Sequence, residues 1–240
     1  MRGKARANVG WLDYWNGNAT IYVNDRHKCV HYEDVARDIV RLLPGPGARV
    51  VDYGCGEALS AAVVADACAH LYLSDGAPVV REGLAARFAG RANIAIIDPR
   101  QFEQLAPHTI DLIVVNSLVQ YLSASEFAHL IAVARHKLSA AGRLVLADIV
   151  PRHVSPVRDA AEFLKFAGAN GFLVPAGFGL VRSYLSGYRE IRAKYGFLQF
   201  DEPEMLALLT QAGFAAHRHY PNMGHNTQRM AFVATRAARD

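Results

Sequence analysis

The stretch VVDYGCGEALSAAVVADA, residues 50–67, decides how this chain is read. An apolar run ends in Asp52, turns through Gly54-Cys55-Gly56 and passes directly into small helix-forming residues. Glycines at such a turn let the backbone fold back tightly and let a ligand approach with no Cβ in the way. In open parallel sheets, ligands gather at the carboxyl ends of strands where the chain order reverses. A dinucleotide fingerprint would put a third glycine where Leu59 stands. A carboxylate two residues before the first glycine also has the wrong sign for a pyrophosphate, and the right one for a ligand carrying ammonium and sulfonium charge. The plain alternative is an ordinary glycine turn between a strand and a helix.

Working outward, the chain alternates. The stretch 32–43 places Val35, Ile39, Leu42 and Leu43 on one helical face, and Pro44-Gly45-Pro46-Gly47 ends that helix. Strands are expected at 48–54, 70–75, 93–98, 109–117 and 142–150, with helices at 59–69, 77–89 and 123–138. Ser123 and Glu126 form a capping box at the start of the last helix. After residues 152–200, where the rhythm breaks, a helix over 202–214 and strands near 216–220 and 229–235 complete the pattern. Short, continuously apolar strands alternating with helices predict a doubly wound α/β fold around a mostly parallel seven-stranded sheet.

On these residues the chain resembles the class I S-adenosylmethionine-dependent methyltransferases, which have a Rossmann-like fold. Their first motif, an acid followed by G-x-G after an apolar strand, is matched by Asp52, Gly54 and Gly56, with Cys55 between the glycines. The resemblance implies that this loop lies beside the methionine portion of the cofactor. It further implies that Asp75, followed by Gly76, binds the ribose hydroxyls, and that Asp98, followed by Pro99, meets the adenine. DLIVVNSLVQYL resembles the fourth motif, with Asp111 entering the strand and Asn116 leaving it, and GRLVLADIV resembles the fifth strand. The family's common third glycine is Ala58 here, whose small side chain is expected to have little effect. Asp75 and Asp98 also admit a simpler role as caps of the turns or helices that follow them.

The resemblance covers roughly residues 35–150 and 202–235, and the organisation expected from it has three parts. Residues 1–43 form an aromatic arm and cap helix, 44–151 and 201–240 the cofactor-binding domain, and 152–200 a lid inserted after strand five. Residues 161–200 hold nine Phe or Tyr in forty positions, against 23 aromatic residues in 240, which reads as a mobile apolar cover with glycine hinges or as ordinary core. Arg158, Lys165, Arg182, Arg189 and Arg192 in or beside it either meet an acidic group on the acceptor or keep a helix face soluble.

Composition narrows the function classes. With 52% hydrophobic and 20% charged residues the chain can bury a sizeable core, which excludes a disordered or collagen-like protein. A net charge of +4 is spread without runs, so no nucleic-acid stripe is expected, and a small-molecule acceptor is expected instead. Three cysteines without metal-type spacing read as reduced thiols in a cytoplasmic chain, with no metal site and no stable membrane insertion.

The expected reaction is methyl transfer to a small, apolar or aromatic acceptor. A base is needed only if the nucleophile arrives protonated. In some small-molecule O-methyltransferases a histidine after the fourth strand serves, but Gln120 and Tyr121 stand there. The candidates are therefore His31 beside the arm, His153 past strand five and Tyr121, with His225 as a further histidine; for any one of the histidines, a surface or satisfied core role is the competing reading. A non-catalytic cofactor binder and, on weaker grounds, an NAD-dependent oxidoreductase are the alternatives from other classes.

Overall fold

The structure, a computed structural model, describes residues 22–153, 155–185 and 198–237. Helix α1 (Asp25–Leu42) leads into β1 (Arg49–Tyr53), α2 (Ala61–Asp66), β2 (His70–Ser74), α3 (Pro78–Phe88) and β3 (Ile94–Ile97). Then come α4 (Pro99–Gln104), β4 (Ile110–Asn116), a single 3₁₀ turn (Val119–Tyr121), α5 (Ala124–Lys137) and β5 (Leu138–Ile149). Helices α6 (Pro156–Ala169) and α7 (Leu173–Leu185) follow, and α8 (Glu202–Gln211), β6 (Phe214–His219) and β7 (Met230–Arg236) close the chain.

The strands form one seven-stranded sheet in the order β3-β2-β1-β4-β5-β7-β6. Strands β1 to β5 run parallel, while β7 is antiparallel to both β5 and β6. The chain order reverses between β1 and β4, so the crevice for a ligand is at the carboxyl ends of those two strands. Both faces of the sheet are covered, which is why its central strands read as unbroken apolar runs. Val50, Leu73 and Val114 pack on one face against Val35 and Ile39 of α1 and Val64 of α2. Val51, Ile113 and Leu146 pack on the other against Phe127 and Ile131 of α5 and Leu209 of α8.

Departures from the sequence reading have local causes. Helix α1 begins at Asp25, not at residue 32, because Asn24 caps it by accepting a hydrogen bond from His27 N at 2.8 Å. Helix α4 was not expected, although Asp98, Pro99 and Gln101 form a complete capping box with proline in the first turn. Strand β5 starts at Leu138, and Gly142 within it is needed because a Cβ there would lie 2.6 Å from the Ile110 carbonyl oxygen.

The segment after β5 holds the two helices α6 and α7. Phe166 and Phe172 bury there with Val30 of α1, so these rings form a small core of their own. The expected glycine hinges are placed differently: Gly168, Gly177 and Gly179 lie inside helices, and only Gly171, at φ +76°, makes the turn between them. Gly179 is where α7 meets the segment just before α1, since a Cβ there would run into Val23 Cγ1. The first part of the aromatic arm, with Trp11, Tyr14 and Trp15, lies outside the described residues, as do Arg189, Arg192 and the side chain of Arg182.

Candidate active site

The glycine loop crosses the carboxyl end of β1 with Gly54 at φ +77° and Gly56 at φ +57°, conformations that favour glycine. The N–H groups of its first four residues, 54 to 57, are committed. Gly54 N and Cys55 N donate to Ser74 O at 2.7 and 3.1 Å, Gly56 N donates to Asp75 Oδ2 at 3.0 Å, and Glu57 N donates to Tyr32 Oη at 2.9 Å. Among the described residues, no donor is paired with the carbonyls of Gly54 or Cys55. The free carbonyl oxygens of Gly54 and Cys55 can receive an ammonium.

The sequence reading expected alanine to serve at position 58 because it is small. The deciding property is backbone conformation: Ala58 sits at φ +40°, in the left-handed region where any Cβ is strained.

Asp52 is 7% exposed, and no hydrogen bond to its carboxylate is found among the described residues. Burial first, then the charge of Asp75, pushes its pKa up to about 7. It lines a small cavity with Tyr32, Ala58 and Ser60. Asp75, at the end of β2, accepts from Gly56 N and from Ala77 N at 2.8 Å, and burial raises its pKa against the pull of those donors. Gly76 beside it is exposed. Asp98 caps α4, accepting from Gln101 N at 2.8 Å through Oδ1, with Pro99 as the first helical residue. Asp75 N reaches Ile97 O at 3.3 Å, joining the ends of β2 and β3. The Cys55 thiol is buried, and its pKa is driven well above the usual range by desolvation and by Asp52 and Asp75.

Across the switch point, Asn116 ends β4 with its Oδ1 buried and without a hydrogen-bond partner. The loop after β4 touches the glycine loop, because a Cβ on Gly54 would come within 2.8 Å of Leu118 Cδ2. Ser117 and Asp148 both stand at φ +56°, and Ser117 Oγ donates to Asp148 Oδ2 at 2.8 Å. Asp148 N in turn donates to the Oδ1 of buried Asn222 at 3.0 Å. Burial raises the Asp148 pKa, opposed by the nearby Arg229. Two non-glycine residues held in a left-handed conformation cost about 1 kcal/mol or more each, and such strain concentrates at functional sites.

The three expected catalytic side chains lie on three separate segments. His31 lies on α1 with ring centroids 5.5 Å from Tyr22 and 5.2 Å from Tyr32; burial, then His225 and His27, lower its pKa to about 4, so it is a neutral imidazole. Tyr121 is buried in the 3₁₀ turn after β4. His153 is exposed in the turn after β5. His225 stacks on Phe166 at 4.1 Å, part of the contact between the β6–β7 connection and α6. Sequence reasoning missed Tyr32, Ser117 and Asp148. A signal for Asp148 was present, since it stands near the carboxyl end of an apolar strand as Asp52 does. Among the described residues, no cluster of three or more His, Cys, Asp or Glu is arranged to hold a metal, and no helix is long and apolar enough to cross a membrane.

No protein-family model matches this chain, and no curated protein matches it in sequence. Solved structures do match. The chain aligns with magnesium protoporphyrin IX methyltransferase (ChlM) from Synechocystis PCC 6803 with bound SAH at a TM-score of 0.60 and 19% identity, over 96% of this chain and 100% of that one. It aligns with DhpI, in a complex with SAH, at a TM-score of 0.61 and 10% identity, over 97% and 98%. Against the pyocyanin biosynthetic protein PhzM the TM-score is 0.55 at 18% identity, and the match covers 85% of this chain but only 55% of the longer PhzM chain. The chain has the class I S-adenosylmethionine-dependent methyltransferase fold.

Proposed function

We propose that this protein is an S-adenosylmethionine-dependent methyltransferase with a small-molecule acceptor. The observation that carries the reading is the pairing of free carbonyl oxygens at Gly54 and Cys55 with an unpaired, buried Asp52 carboxylate at the switch point. Both features favour a cationic ligand over a dinucleotide phosphate. ChlM and DhpI, which share the fold along nearly their whole length, are found with SAH bound.

The residues fit the cofactor from one end to the other. Asp52 and the Gly54 and Cys55 carbonyls face the ammonium, Asp75 with Gly76 holds the ribose hydroxyls, and Asp98 with Pro99 meets the adenine edge. Asn116 Oδ1, orphaned at the end of β4, supplies one more acceptor. When bound, the sulfonium supplies an activated methyl group, transferred in line to the acceptor. The chain's own contribution is alignment and the exclusion of water by α1 and the helices after β5.

The acceptor belongs at the ends of β4 and β5, with α6 and α7 as its cover. Asp148, held by Ser117 and raised by burial, is suited to take the proton of a hydroxyl or phenol better than exposed His153 is. ChlM, a magnesium protoporphyrin IX methyltransferase, supports a small-molecule acceptor.

The test is thermal denaturation of the protein with S-adenosylmethionine, S-adenosylhomocysteine and NAD in parallel. A ligand at about 100 times its dissociation constant adds about 2.7 kcal/mol, a clear rise in melting temperature. Stabilisation by the first two and not by NAD is the expected result. Stabilisation by NAD alone would replace this reading with an oxidoreductase.

A further inference from the structure

We infer that the outer face of helices α6 and α7 is a docking surface for an anionic lipid membrane; this goes beyond the methyl transfer proposed above and does not depend on it. Seven large apolar side chains stand exposed among the described residues, and four of them, Val157, Leu173, Val174 and Phe178, lie on these two helices. Val174 and Phe178 are one turn apart on α7 and are 70% and 75% exposed. The helices form a hairpin in which Phe166, Ala167, Phe172 and Ala176 bury with Val30 of α1, so the exposed residues face away from the fold. Apolar side chains grouped in water mark an interaction site, whereas single ones such as Val63 or Val79 are ordinary surface. The glycines agree with this. Gly168 and Gly177 sit inside the two helices, where glycine is a poor helix former, yet a Cβ on either would meet nothing within 4 Å. No close contact of the fold requires them, and they keep the outer face low.

Charge selects the occupant. Among the described side chains, the exposed charged residues of these helices are Arg158 and Lys165, both basic and both on α6. Its acids, Asp159 and Glu162, are half-buried, and Asp159 pairs with Arg229 at 2.9 Å. Every other α-helix exposes an acid: Glu33 on α1, Asp66 on α2, Glu82 on α3, Glu103 on α4, Glu126 on α5 and Glu204 on α8. The face that is richest in exposed apolar side chains is therefore also the one without exposed negative charge. Anionic headgroups attract the cations, while the apolar side chains enter the boundary between headgroups and acyl chains. A fluid bilayer needs no pocket shaped to Phe178, as a folded partner would. The attachment is peripheral, since no described helix is long and apolar enough to cross a membrane.

Co-sedimentation of the full chain with vesicles tests this, using phosphatidylcholine alone and phosphatidylcholine mixed with phosphatidylglycerol. The unmutated protein is expected to bind the mixed vesicles, and the neutral ones about fivefold or more weakly, the effect of one or two cations at the surface. Val174→Ser combined with Phe178→Ser should weaken binding to mixed vesicles about tenfold or more, the loss expected when such side chains no longer leave water. Arg158→Gln combined with Lys165→Gln should bring mixed vesicles down to the level of neutral ones. Val63→Ser combined with Val79→Ser, on α2 and α3, should stay within about twofold. All of these side chains but Lys165's neighbours in the core are on the surface, so unchanged melting temperatures will show that each variant is folded. Absence of binding by the unmutated protein would overturn the inference, as would equal losses in the α7 and the α2–α3 variants. So would a dimer in lipid-free buffer that Val174→Ser with Phe178→Ser dissociates, because a second copy would then fill the face.

Discussion

The two halves of the sheet's carboxyl edge are built on opposite principles. At the ends of β1 and β2 the unusual backbone conformations at residues 54 and 56 are taken by glycine, and the N–H groups of residues 54 to 57 all have partners. At the ends of β4 and β5 the same left-handed region is occupied by Ser117 and Asp148, and Asn116 is left with an unpaired buried oxygen. The first half is a seat shaped by glycine and strained at Ala58 alone, while the second holds two larger residues, Ser117 and Asp148, in the left-handed region. Holding a cofactor needs shape, whereas chemistry needs groups held where they would not otherwise rest. The difference supports the proposal that the first edge binds the cofactor and the second the acceptor.

The severest test of that division is Gly54→Val. A β-branched side chain would be forced to φ +77° and driven into Leu118, whose Cδ2 would be 2.8 Å from the new Cβ. Loss of S-adenosylhomocysteine binding by about 100-fold or more is expected by calorimetry, with the circular dichroism of a folded α/β protein retained. Normal affinity would place the cofactor elsewhere.

Asp52→Asn gives the next largest effect and a pH signature. An ammonium calls for ionised Asp52, so affinity in the unmutated protein should rise from about pH 5.5 to about pH 7.5, by up to about tenfold per unit on the acid side. The variant should bind about tenfold or more weakly at pH 7.5 and lose that pH dependence. Stability should move the other way. Folded Asp52 keeps its proton up to about 7, and the unfolded chain releases it near 3.8, so the fold loses stability as pH rises through that window. Asparagine removes the penalty, on the order of 2–4 kcal/mol. The variant should therefore melt several degrees higher at pH 8 and at the same temperature below about pH 3.5. Equal melting at both pH values would show that Asp52 is solvated or paired.

Asp148→Asn sharpens the contrast, because the side chain is again a buried carboxylate with a raised pKa, but on the other edge. Cofactor affinity should change by less than about threefold, measured in the same calorimetric series. A loss as large as that of Asp52→Asn would merge the two edges into one cofactor site.

How much of this was legible depended on how local the signal was. The strands, the switch-point loop and its acids are written in short windows, because parallel strands buried on both faces and glycine turns leave unmistakable patterns. All seven strands could be read, as could Asp52, Gly54, Gly56 and Asp75 at their junctions. Helices α6 and α7 were not, because Gly168, Gly177 and Gly179 inside them look like punctuation until Val23 is seen packed on one of them. Tyr32 was out of reach for a related reason. It joins the site through a hydrogen bond to residue 57, 25 positions away, and no pattern around it records that contact. His31, its neighbour, drew attention for its chemistry while turning into a cluster of rings.

The smallest expected effect concerns residue 58. Alanine at φ +40° carries a left-handed penalty of about 1 kcal/mol, and glycine would remove it. Glycine also adds unfolded-state freedom, a cost of about 0.5–1 kcal/mol, and gives up a side chain that is 4% exposed within the core. These terms nearly cancel, so Ala58→Gly should shift stability by less than about 1 kcal/mol in urea unfolding. Cofactor affinity should stay within about twofold, because the loop would keep the shape that Gly54 and Gly56 already define. A marked gain in affinity would mean that Ala58 holds the loop away from its best conformation, and that its strain reaches the cofactor seat.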